Sequence, residues 1–134
     1  MNAAEFGDKA GKFWNHLRKS GVKLPDNPEA YTRTGIGAKV RRYAGKVQFI
    51  RDAVAMYYCA IDGKTPAAAR ALAFAALAYF VMPVDLVPDA IPGVGMLDDA
   101  TVIGLAMAAL QYVLSDEHRE KAARLLTRIT GAVS

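Results

Sequence analysis

Four carboxylates crowd one short stretch of this 134-residue chain. Asp85, Asp89, Asp98 and Asp99 fall within 15 residues, and between Ala71 and Ser115 they are the only charged side chains. Carboxylate oxygens are hard ligands suited to magnesium, calcium or manganese, so a loop that folded these four together would hold a divalent cation. Their spacing is not that of an EF-hand, and no histidine lies near them in sequence. The competing use is structural. Pro83, Pro88, Pro92, Gly93 and Gly95 interleave with the aspartates, and aspartates in such company cap helices and close turns. The structural use is preferred. The stretch offers no nucleophile beside a base, so no catalytic or cofactor-binding residue is assigned and an enzyme is not expected.

Reactive side chains are scarce elsewhere. One cysteine, Cys59, and two histidines, His16 and His118, exclude a disulfide framework and a Cys/His zinc site. Cys59 sits in an apolar segment beside Tyr57 and Tyr58 and reads as buried and inert. Both histidines read as surface residues on polar helix faces. Phosphate-loop, dinucleotide and nucleophile-elbow motifs are all missing from the sequence.

The elements that must position the aspartates are two apolar segments, Pro66–Met82 and Ala100–Leu114. Pro83 lacks a backbone donor and clashes with the preceding turn, so the first segment ends or kinks there. Thr65 is expected to cap it, with Pro66 at the first helical position. Asp98 or Asp99 is expected to cap the second, where a carboxylate also suits the positive end of the helix dipole. Ala67, Ala71 and Ala75 recur every four residues, as do Ala100, Gly104 and Ala108. Two such faces would let the backbones approach closely, in a bilayer or in an alanine-rich bundle.

The flanks are also helical in pattern. Phe6, Ala10, Phe13, Trp14 and Leu17 form an amphipathic stripe that Gly21 would stop. That helix either docks on the core or lies in a membrane interface. Residues 22–35, with Pro25, Asn27 and Pro28, read as a linker. From Ile36 to Ile61 a single helix is expected, carrying Val40, Tyr43, Val47, Ile50, Val54 and Tyr57. Ser115 opens a last helix bearing Ala122, Leu125, Leu126 and Ile129. The expectation is an all-α fold of four to five helices around a 66–82/98–114 hairpin. Residues 1–35 would form an N-terminal helix and linker, and residues 36–134 a helical domain.

The elbow and its approach, Tyr79, Pro83, Asp85, Pro88, Asp89, Pro92, Gly95, Asp98 and Asp99, resemble the YkvA-like family, a bacterial domain of unknown function. The resemblance covers roughly residues 66–105 and implies a helical fold with one or two short membrane spans, but no chemistry.

Composition bears on that location. Hydrophobic residues make up 53% of the chain, and its mean hydropathy is +0.12. Residues 1–65 hold 12 Lys/Arg against 6 Asp/Glu, whereas residues 66–115 hold only Arg70 against the four aspartates. A basic shell round an acidic, apolar centre suits an anionic membrane surface and is weak support for nucleic acid, which is not expected as a partner. Both apolar segments are short: Ala67–Met82 would reach about 24 Å and Ala100–Leu114 about 22 Å, against the roughly 20 residues of a full span. Basic flanks and an elbow without Lys or Arg would place both termini on the cytoplasmic side of a bacterial inner membrane. Membrane association in a non-enzymatic scaffold or accessory role is the favoured reading, with a protein partner or homo-oligomer open. The alternative is a small soluble cytoplasmic domain that binds a divalent cation or a partner helix.

Overall fold

A computed structural model describes residues 3–44, 49–82 and 94–131, apart from the side chains of residues 3 and 94–100. Its described elements are six α-helices: α1 (Ala3–Ser20), α2 (Pro28–Tyr43), α3 (Ile50–Ile61), α4 (Ala67–Val81), α5 (Val94–Leu110) and α6 (Asp116–Thr130). The all-α expectation holds, with more helices than the four to five expected.

The alanine-rich α4 is the centre. Alanine is the strongest helix former, and proline sets the stop: Met82 adopts φ −59°, ψ 137°, the extended conformation forced on a residue before proline. Every residue from Leu72 to Phe80 is buried, because α2, α3 and α5 pack around the helix. Fully burying a leucine or phenylalanine contributes roughly 1.5–3 kcal/mol, and Leu72, Leu77 and Phe80 all do so here.

The outer helices dock by their stripes. On α1, Ala10, Phe13 and Leu17 are buried against α5, and Phe6 meets Tyr112 with ring centroids 5.0 Å apart. Gly21, at φ +73°, is the expected stop of α1. Similarly, α6 lies on α3.

Four sequence expectations are corrected. Residues 36–61 form parts of two helices, since α2 ends at Tyr43 with Ala44 as its C-cap and α3 begins at Ile50. The linker is shorter than 22–35, because Asn27 accepts a hydrogen bond from the Ala30 amide and Pro28 opens α2. The small-residue stripes do not make the α4–α5 contact. Ala67 and Ala71 are exposed, as is Gly104, where an added Cβ would meet nothing within 4 Å; the residues α5 buries in the bundle, against α1 and α4 together, include Val102, Ile103, Ala106, Ala109 and Leu110. No described helix is long and apolar enough to cross a membrane, so the expected transmembrane helices are not met among the described residues. The physical reason is length: α4 runs 15 residues and α5 17, short of the roughly 20 that a full span needs.

Candidate functional site: a polar staple and an open basic face

The sequence-selected residues divide sharply. Pro83, Asp85, Pro88, Asp89, Pro92 and Gly93 lie outside the described residues. Gly95, Asp98 and Asp99 belong to α5, which begins at Val94. Neither Asp98 nor Asp99 is therefore the N-cap; both fall in the second turn, and Gly95 has helical rather than left-handed backbone. Tyr79 is buried in α4, 6% exposed. No group of three or more His, Cys, Asp or Glu side chains able to hold a metal ion occurs among the described residues.

What the fold does bring together is a polar staple between the α3–α4 turn and the start of α6. The Ser115 hydroxyl accepts from the His118 amide at 3.3 Å, and the Ser115 amide donates to His118 Nδ1 at 3.1 Å. The ring's other nitrogen, Nε2, meets Asp62 Oδ2 at 2.9 Å. With Nδ1 accepting, the proton of the neutral ring resides on Nε2 and is donated to Asp62. His118 is 4% exposed, which corrects the expectation of a surface histidine: its ring closes a capping box and crosses to another helix.

Asp62 is fixed from two sides. The Lys64 amide donates to its Oδ1 at 2.9 Å, and this bond first, then His118, holds its carboxyl below the ordinary value of 3.8. The Arg70 guanidinium donates through Nη2 to the Asp62 carbonyl at 3.1 Å. Thr65 is not the cap of α4; Pro66 occupies that position. Instead the buried Thr65 hydroxyl donates to the Cys59 carbonyl at 2.6 Å, tying off the end of α3. Cys59 is fully buried, and burial pushes its thiol up, which opposes the thiolate a nucleophile needs. Cysteine, histidine and aspartate thus stand close in this region, but their hydrogen bonds hold helices together.

The open surface lies across α2, α3 and α6. A cleft of about 460 Å³ is floored by Ile36, Val40, Val54, Leu125 and Ile129, with Arg33 and Arg41 on its α2 wall. A second, of about 870 Å³, runs between Ile61 of α3 and the Lys121, Arg124 and Arg128 row of α6. Tyr58 lines both. All five cations are exposed. Arg33 pairs with Glu29 at 2.9 Å and Lys121 with Glu117 at 3.2 Å. Arg41, Arg124 and Arg128 form no ion pair among the described residues. Sequence reading missed this face because its cations come from helices far apart in the chain.

Comparison with known proteins bears on the centre of the molecule. Residues 69–105 match the family described as "Protein of unknown function (DUF1232)". The chain is also 49% identical over 41 residues to the "Uncharacterized membrane protein YkvA" of Bacillus subtilis, a match covering 31% of this chain and 39% of that relative. These matches bear out the YkvA-like resemblance, carried by α4, the elbow sequence and most of α5. No solved structure matches the chain. The basic face lies outside the matched residues.

Proposed function

We propose that this chain is a non-enzymatic helical protein that associates with a membrane from its surface, in a scaffold or accessory role. The observation that carries the reading is the sheathing of α4: every side chain from Leu72 to Phe80 is already covered. Lipid contact along that helix would require removing α2, α3 or α5. The relative it resembles is named a membrane protein, and the family match, residues 69–105, takes in the buried run of this helix. Association at the surface reconciles that likeness with a buried centre.

Fractionation of expressing bacteria tests the reading. The protein is expected to sediment with membranes at low salt and to be released by a carbonate or high-salt wash. Recovery in the soluble fraction at low salt overturns membrane association. Retention through the carbonate wash overturns the surface mode and restores an inserted hairpin.

A further inference from the structure

We infer that the α2–α3–α6 face is the docking surface, and that its occupant is the headgroup layer of an anionic phospholipid bilayer. The inference rests on the membrane reading above and deepens it by naming the surface and the lipid chemistry.

Charge comes first. The face presents Arg33 and Arg41 from α2 and Lys121, Arg124 and Arg128 from α6. The acidic groups one turn away are Glu29, engaged by Arg33, Glu117, engaged by Lys121, and Glu120, four residues before Arg124. Five cations against three carboxylates leave a net positive field, with Arg41, Arg124 and Arg128 outside the ion pairs among the described residues. Guanidinium groups suit a phosphate surface because their fork matches its oxygens.

The floor between the cations decides which anionic partner fits. Ile36, Val40, Val54, Leu125 and Ile129 are aliphatic. Tyr57 and Tyr58 stand half-buried in the middle of the face, their rings 6.1 Å apart, and the Lys121 ammonium lies 6.0 Å from the Tyr58 ring. Tyrosines between an apolar floor and a cationic rim match the bilayer interface, where one end of the ring is dry and the other wet. A surface that reads nucleic-acid bases would want polar donors throughout the space between its cations; here the floor of the first cleft is aliphatic at Ile36, Val40, Val54, Leu125 and Ile129, with Tyr57 and Tyr58 beside it. Gly37 lies between Arg33 and Arg41, one turn from each, and puts no side chain on the α2 wall at that one position.

Vesicle flotation of the 134-residue chain tests this. The wild type should float with vesicles containing phosphatidylglycerol and remain behind with pure phosphatidylcholine. Each basic residue near an anionic surface is worth about 1 kcal/mol, so Arg41→Glu/Arg128→Glu should weaken binding at least about thirtyfold. Arg41→Gln/Arg128→Gln should weaken it less but measurably, and circular dichroism should show both variants folded. The control is Lys19→Glu/Lys23→Glu, which changes net charge equally but lies on α1 and the loop after it; it should float like the wild type. If the α2/α6 variants float normally while the wild type still fractionates with cell membranes, this face is wrong and the membrane reading survives. If the wild type neither floats nor fractionates with membranes, both fall. A gel shift with duplex or single-stranded DNA, or a dimer lost in the variants, without flotation assigns the face to nucleic acid or to a second copy and overturns the proposal.

Discussion

His118 uses both ring nitrogens, one toward Ser115 and one toward Asp62, so its removal orphans groups on two helices. His118→Ala should cost about 1–3 kcal/mol, the usual penalty for leaving buried partners unsatisfied. Ser115→Ala should cost about 0.5–2 kcal/mol as a lost cap, and the double variant less than the sum because the two share a network. Denaturant titrations check all three. Asp62 adds a pH signature. A carboxyl held below its ordinary 3.8 contributes stability that is present above that value and is lost as pH falls through the lower, folded one. Melting temperature should therefore drop below about pH 4, and Asp62→Asn should flatten that limb while lowering stability at neutral pH. An unchanged acid limb would show that Asp62 is not a titrating contact. The Ser115 cap was legible in sequence because capping is local. The His118–Asp62 bond was not, since it spans 56 residues and nothing in either neighbourhood points to the other. For Asp85, Asp89, Asp98 and Asp99 the cation reading rests on sequence spacing. A metal that binds only the folded state raises the melting temperature with its concentration. A flat response to calcium, magnesium and manganese in wild type and Asp85→Asn/Asp89→Asn alike leaves them as turn and helix-end residues.

The helices themselves divide by how their signals are written. Local punctuation holds where it stops a helix, at Gly21 after α1 and at Met82 ahead of Pro83, and fails at the starts of α4 and α5, where neither Thr65 nor Asp98 or Asp99 is the cap. The break between α2 and α3 leaves no mark on the pattern, because Val40, Tyr43, Val47, Ile50 and Val54 keep helical spacing across it, and periodicity cannot register an interruption that preserves the phase. Asn27 and Pro28 are residue types shared by linkers and helix starts, and in the fold they are the cap and first residue of α2. Glycine separates close packing from open surface. A Cβ at Gly35 would lie 2.5 Å from Val81 Cγ1, whereas one at Gly104 would meet nothing. Gly104→Ala, exposed within α5, should therefore raise stability by about 0.5–1 kcal/mol through helix propensity. Gly35→Leu should lower it by about 1–3 kcal/mol, because α2 must back away from a stiff, β-branched neighbour. Thermal melts of the two variants moving the same way would contradict this assignment of contacts.

At the scale of the molecule, the question is what solvates α4. Sequence composition could not answer it, because an alanine-rich apolar helix looks alike whether lipid or protein surrounds it; only the contacts with α2, α3 and α5 distinguish the two. The distinction has a mutational consequence. In a protein-packed interior, cutting a large side chain down leaves a cavity that its surroundings fill only in part, and Leu→Ala costs about 2–5 kcal/mol. Against lipid, acyl chains flow into the gap and little more than the transfer difference is lost. Leu77 lies in the middle of the buried run and is fully enclosed. Leu77→Ala should accordingly lower detergent-free stability by about 2–5 kcal/mol, in a single cooperative transition seen alike by far-ultraviolet circular dichroism and tyrosine fluorescence. Tyr79 and Phe80 from the same helix are buried with it, so loosening α4 should disturb the whole bundle rather than one end. Ala71→Leu is the matching control: Ala71 is exposed and lines the cleft beside Trp14 and Leu24, where added bulk meets open space, and the expected change is within about 0.5 kcal/mol. Were the wild type to unfold without detergent, or Leu77→Ala to cost no more than Ala71→Leu, α4 would be a lipid-facing helix after all, and the surface mode of membrane association would fall with its central premise.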